Sequence, residues 1–161
     1  MGVRVPPSAR LLDKKFLPMV HLAVYEKILL ATDGSENALR AAEQAAELTK
    51  RFDAKTTLIT SVYIPPMYTG DVTELQDALL EDGVRLLDHT KKAFARRGTP
   101  CVTKLVRWVH PVEAICTEAT DGKYDLIVLG RRGLAEVKRG LLGSVSEGVL
   151  RSSPCAVLMV K

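Results

Sequence analysis

Aromatic residues are scarce, making up 5% of the 161 positions. That scarcity argues against a stacking platform for single-stranded nucleic acid. Cysteines number three, Cys101, Cys116 and Cys155, at long spacings and without a C-x-x-C pair. Neither a zinc-binding set nor a dithiol redox pair is signalled. All three lie in apolar stretches, which suits free thiols in a reducing, cytoplasmic setting. His21, His89 and His110 are scattered without ligand spacing. No nucleophile, base and third orienting residue stand out as a set. No apolar run reaches the roughly 18–20 residues of a membrane-spanning helix. Lys and Arg number 23 against 19 Asp and Glu, for a net charge of +4. The two signs are interspersed and form no basic block, so neither nucleic acid nor membrane is the expected partner.

What is present fits one globular domain: 47% hydrophobic and 26% charged residues in a chain of single-domain length. Residues 1–24 read as an N-terminal extension. They hold Pro6-Pro7, several basic groups and a short apolar stretch broken by His21, with no small-residue cleavage site, unlike a secretory signal. The regular pattern covers 25–161. Lys27 to Thr32 is a continuous apolar run, as expected of a strand covered on both faces. Glu36 to Phe52 places Ala38, Ala42, Ala45 and Ala46 on one helical face, with Ser35 as its N-cap. Thr56 to Tyr63 is a β-branched strand closed by Pro65-Pro66. Thr73 to Arg97 reads as a long helix with Leu75, Leu79, Leu86, Leu87 and Phe94 near helical spacing and Gly98 as its stop. Cys101 to Val109 is a third strand, with Trp108 as a packing residue on it. Pro111 opens a helix through Thr120 with Ile115 and Ala119 inward. Asp125 to Leu129, Ser144 to Ser152 and Cys155 to Val160 follow as strand, helix and strand. Strands alternating with helices imply an α/β fold with a parallel sheet and helices on both faces.

In such sheets ligands sit beyond the carboxyl ends of the strands, where strand order reverses. Two segments reach that edge. Asp33-Gly34-Ser35 follows the first strand. Its carboxylate has the chemistry to accept from ribose hydroxyls or to meet a metal ion, and the same residues also serve as a plain strand-to-helix turn. After the fourth strand comes Gly130-Arg-Arg-Gly133, then nine residues, then Gly143-Ser144 opening the last helix. Glycines beside a strand end let backbone N–H groups converge on an anion, and a helix N-terminus adds unsatisfied N–H groups and positive partial charge. Ser144 and Ser146 add hydroxyls. A polyphosphate cradle and a loop merely shaped by glycine both fit these residues. Neither G-x-x-x-x-G-K-S/T nor G-x-G-x-x-G occurs, which turns the reading away from P-loop and hydride-transfer chemistry. Arg131 and Arg132 are either phosphate ligands or solvated surface charge, and Lys138 and Arg139 in the intervening loop stand the same way.

Gly130-x2-Gly133-x9-Gly143-Ser144 resembles the signature of ATP-binding universal stress proteins. The flanks Asp125-Leu-Ile-Val-Leu-Gly130, Leu141-Leu-Gly-Ser-Val145 and Pro154-Cys-Ala-Val-Leu-Met-Val160 are similar too, as is the opening Tyr25-Glu-Lys-Ile-Leu-Leu-Ala-Thr-Asp-Gly-Ser35. The resemblance covers about residues 25–161. It implies a Rossmann-like, adenine nucleotide alpha hydrolase-like sheet of five parallel strands in the order 3-2-1-4-5. It also implies ATP with Mg²⁺ as ligand. Asp33 would meet the ribose or the metal. Ala31 and Ser61 would border the adenine, Ser61 through its backbone. Gly130, Gly133 and Gly143 would let the chain approach the phosphates, and Ser144, Ser146 and the Val145 N–H would bind them. Arg131 and Arg132 make the loop more basic than is common in the family. Val109 stands where the family has glycine before the His-Pro step, so a different turn is expected there.

The function this implies is a nucleotide-dependent regulator or sensor of the stress response. Two other readings stand beside it: a slow Mg-dependent ATP hydrolase using Asp33, and a nucleotide-free dimeric interaction module. The apolar C-terminal strand Ala156 to Val160 would form a sheet edge, and such edges are paired or covered. A homodimer through that strand is expected. The sequence names no downstream protein partner.

Overall fold

The computed structural model describes residues 25–68, 71–134 and 142–161. The extension 1–24 and the loop cations Lys138 and Arg139 lie outside them. The elements run β1 (Lys27–Ala31), α1 (Glu36–Phe52), β2 (Lys55–Val62), α2 (Thr73–Arg96), β3 (Val102–Arg107), α3 (Pro111–Asp121), β4 (Leu126–Gly130), α4 (Ser144–Ser152) and β5 (Ala156–Val160). All pairings are parallel, in the order β3-β2-β1-β4-β5. The expected strand order is therefore the observed one. The chain reverses direction across the sheet between β1 and β4, and both of these strands are buried on both faces.

Alternation along each strand feeds two cores. Ile28 and Leu30 of β1 join Leu58, Leu126, Val128 and the alanines of α1 on one face. Leu29 and Ala31 join Ile59, Ile127, Leu129, Ile115 and Val149 on the other. Helix α1 buries Ala38, Ala41, Ala42, Ala45 and Ala46, and these small side chains let its axis lie close to the sheet. Helix α2 is anchored by Leu87, Ala93 and the fully buried Phe94. Leu75, expected on its apolar face, is exposed, because α2 meets the sheet only from Gly83 onward. A Cβ at Gly83 would lie 2.6 Å from Leu105 and 3.1 Å from Val62.

The third strand ends earlier than expected. Trp108 is not a packing residue on β3. It lies beyond the strand with a φ of 61° and is 41% exposed. That left-handed conformation is costly for a bulky side chain, about 1–3 kcal/mol. The turn is held by a bond from Trp108 N–H to Val62 O (2.7 Å) and by the Ser61 hydroxyl donating to Val109 O. The left-handed residue of this turn is Trp108, one position before Val109. His110 then caps α3, its Nδ1 accepting from Val112 N–H, while its ring packs edge-on against Tyr63.

Candidate functional site

At the carboxyl edge of β1 and β4 lies a cleft of about 250 Å³. Its β2 side is lined by Ala31, Ile59, Thr60 and Ser61, with Pro111 and Ile115 from the start of α3. This part is mostly apolar, as a flat aromatic ring requires. Its β4 side is lined by Asp33, Gly130, Arg132, Gly133, Leu134 and the segment Gly143 to Ser146. Of the eleven described residues singled out in the sequence as ligand candidates, Arg132 included, ten line this one cleft, and Arg131 does not.

The β1–α1 turn and the glycine loop are stitched together. Asp33 Oδ1 accepts from Ser35 N–H (3.0 Å) and its Oδ2 accepts from Leu134 N–H (2.9 Å). Ser35 Oγ accepts from Ala38 N–H (3.2 Å), capping α1, and donates to Arg132 O (3.2 Å). A carboxylate accepting backbone N–H groups makes charge-assisted bonds, among the stronger ones available to a loop. Both Asp33 oxygens thus have a partner within the protein, although each keeps a lone pair for a ribose hydroxyl or a metal ion.

The three signature glycines have three different surroundings. A Cβ at Gly130 would lie 2.8 Å from Ala38 N and Asn37 C, so this residue lets α1 lie against the end of β4. A Cβ at Gly133 would fall on the Asp33 carboxylate, so this glycine makes room for the stitch. A Cβ at Gly143 would meet only backbone atoms at 3.4–3.5 Å, which is ordinary contact, and its φ is −67°. Gly143 N–H donates to Arg131 O (3.0 Å), and Arg131 N–H donates to Val160 O (2.7 Å). Arg131 is therefore fixed through its backbone.

Helix α4 begins with no side-chain acceptor at its N-cap. Its first intrahelical bond runs from Glu147 N–H to Gly143 O (2.9 Å). The N–H groups of Ser144, Val145 and Ser146 have no acceptor among the described residues. The Ser144 side chain is exposed at the cleft, whereas Ser146 is buried and its hydroxyl donates to Gly130 O (2.8 Å). Three open N–H groups at a helix N-terminus carry a positive partial charge and suit an anion. Beside them Arg132 Nε is shut off from solvent and has no hydrogen-bond partner among the described residues. Sequence reasoning placed Arg131 and Arg132 on equal terms. Only the path of the backbone past the end of β4 separates them. It also passed over Ile59, Ile115 and the Leu134 N–H, whose one signal was their position next to strand ends.

Among the described residues no group of three His, Cys, Asp or Glu side chains could hold a metal ion, and no helix is long and apolar enough to cross a membrane. All three cysteines are free. Burial raises the pKa of each thiol, opposed in Cys101 by Lys91 and in Cys155 by the Ser153 hydrogen bond. They are therefore poor nucleophiles at neutral pH.

Residues 24–161 match the Universal stress protein family. The chain is 36% identical over 142 residues to a universal stress protein of Methanocaldococcus jannaschii, covering 86% of this chain and 83% of that one. It is 37% identical over 139 residues to a universal stress protein of Thermus aquaticus, covering 86% of this chain and all of that one. Among solved structures it is similar to a universal stress protein in complex with cAMP, with a TM-score of 0.69, 28% identity, and coverage of 86% of this chain and 99% of that one. The chain belongs to the universal stress protein family.

Proposed function

We propose that the chain binds ATP with Mg²⁺ in this cleft and acts as a nucleotide-dependent regulator or sensor of the stress response. The observation that carries the reading is the first turn of α4, which opens into the cleft with three N–H groups and no side-chain cap. The apolar lining on the β2 side supplies the other requirement, a slot for the base. The cAMP complex of a related protein supports an adenine nucleotide as the ligand class.

In this reading Ala31 and Ser61 border the adenine. The Ser61 hydroxyl is already held by Val109 O, which leaves its backbone to face the base. Asp33 meets the ribose or the metal. The Ser144 hydroxyl and the N–H groups of Ser144, Val145 and Ser146 receive phosphate, and Gly130, Gly133 and Gly143 shape the loop that permits it. Arg131 serves through its backbone. Mg²⁺ fits this donor set as a partner of the phosphates, because Asp33 is the one carboxylate among the described residues lining the cleft. Magnesium is commonly held that way, by a carboxylate or two together with substrate oxygens. When bound, it neutralises phosphate charge.

The unit that does this is residues 25–161, with 1–24 as an extension. A homodimer through β5 completes the proposal. Val157 to Val160 are half-buried, and β5 pairs only with β4 among the described strands. The free thiols fit a cytoplasmic setting.

The direct test is to denature freshly purified protein and identify the released small molecules by mass spectrometry. Adenine nucleotide near one equivalent per chain is expected. A cleft that is empty, and still empty after incubation with ATP and Mg²⁺, overturns the proposal. Light scattering should give a dimer at micromolar concentration, and a monomer there removes the β5 pairing.

A further inference from the structure

The cleft has a charge arrangement that the nucleotide reading alone does not explain. Its described lining contains one cation, Arg132, and one anion, Asp33. Asp33 is matched by two backbone N–H groups. Arg132 has no such match among the described residues. No carboxylate pairs with it among the described residues, and its Nε is buried without a hydrogen-bond partner. Arg132 lines the cleft, and the described residues leave its guanidinium without a carboxylate, so an anionic ligand in the cleft would supply its counter-charge.

Its place in the fold says what kind of partner. The Arg132 carbonyl is pinned by the Ser35 hydroxyl, and its Cα lies against Gly143 at the mouth of α4. The backbone that carries the side chain is thus fixed on both sides. One phosphate is already well served by the first turn of α4 and the Ser144 hydroxyl. A ligand with a single phosphate charge leaves nothing for a further cation to do. A ligand with two or three phosphates brings additional negative charge to the same mouth, and a guanidinium fork matches phosphate oxygens in pairs.

Resting on the nucleotide reading above, we propose that Arg132 is the residue that sets phosphate number in this site, favouring adenosine di- and triphosphates over the monophosphates AMP and cAMP. It is a specificity residue rather than a general anchor. The base, the ribose and the first phosphate are held by other groups, so its removal penalises ligands in proportion to the phosphates beyond the first. Arg132→Lys keeps the charge and loses the fork, and falls between the wild type and Arg132→Gln.

The test is calorimetric titration of the full chain with ATP, ADP, AMP and cAMP, in wild type, Arg132→Gln, Arg132→Lys and Arg151→Gln. Arg151 sits at the far end of α4 beside Glu147 and controls for loss of one positive charge. Arg132→Gln should weaken ATP by about ten- to a hundredfold while changing AMP and cAMP by less than about threefold. Arg132→Lys should show a smaller loss in the same order of ligands, and Arg151→Gln should leave the ratios unchanged. Equal losses for all four ligands in either Arg132 variant, no loss at all, or a wild type that does not prefer ATP to AMP would overturn the assignment. A wild type that binds none of the four removes the nucleotide reading, and this inference with it.

Discussion

Two helices start side by side at the carboxyl edge, α1 after β1 and α4 after the loop that follows β4. Their first turns are treated in opposite ways. At α1 the chain satisfies itself: Ser35 Oγ accepts from Ala38 N–H, and Asp33 accepts from Ser35 N–H. At α4 the N-cap is Gly143, no side chain accepts from the first turn, and Ser144 faces the cleft. A buried or half-buried helix start without acceptors is unfavourable unless something else supplies them. The lesson is that the two turns divide the labour. The first is a fixed wall, stitched to the glycine loop through Arg132 O and Leu134 N–H. The second is an open receptor for an anion. The glycines follow the same division, since Gly130 and Gly133 serve the wall and Gly143 is under no such steric demand.

The comparison is broken most severely at the wall. Gly130→Val drives a side chain into the backbone of Asn37 and Ala38 and should cost about 3 kcal/mol, read as a lower urea midpoint. Ser35→Ala removes the α1 cap and leaves Arg132 O without its donor. A loss of about 1–2 kcal/mol is expected by the same measurement. On the receptor side the pattern should invert. Ser144→Ala should leave stability within about 0.5 kcal/mol of wild type. It should weaken ATP by about three- to tenfold in calorimetry, the worth of one hydrogen bond.

The smallest effect lies away from both turns, where Glu43 of α1 accepts from Arg96, the last residue of α2, and from Arg97, its C-cap. Burial pushes the Glu43 carboxyl up, but the two guanidinium groups outweigh it and hold its pKa below the ordinary carboxylate value. Its stabilising contribution is therefore fully present above the unfolded-state pKa and is lost as pH falls through the lower folded value. Glu43→Gln should cost on the order of 0.5 kcal/mol at pH 7 in this solvent-screened position. Thermal unfolding in acid, below the folded pKa, should show that difference gone.

The wall and the receptor were not equally legible in the sequence. Element order and sheet class were readable because β1 and β4 are continuous apolar runs and α1 carries its alanines at helical spacing. Those signals are local. The third strand was misjudged at its end because the left-handed turn at Trp108 is imposed by contacts with Val62 and Ser61 on the neighbouring strand, not by its own side chain. Gly133 and Ser144 could be marked as special from their spacing. The steric reason at Gly133 could not be read, since it is a carboxylate a hundred positions earlier. The inward placement of the Ser146 hydroxyl and the difference between Arg131 and Arg132 are likewise products of backbone path. Two identical neighbours carry no sequence signal that tells them apart.

The central claim is that α4 is left uncapped for the phosphates of a nucleotide, and Ser144→Asp tests it most directly. A carboxylate at the first position of α4 complements the helix dipole, so the unliganded variant should be as stable as wild type or more stable by about 0.3–1 kcal/mol. The same charge occupies and repels the phosphate position. Thermal unfolding with and without ATP and Mg²⁺ reads both effects at once. The account predicts a raised or unchanged melting temperature without ligand and no upward shift on adding ATP, against a clear shift for wild type. An ATP-induced shift in Ser144→Asp equal to that of wild type would contradict it.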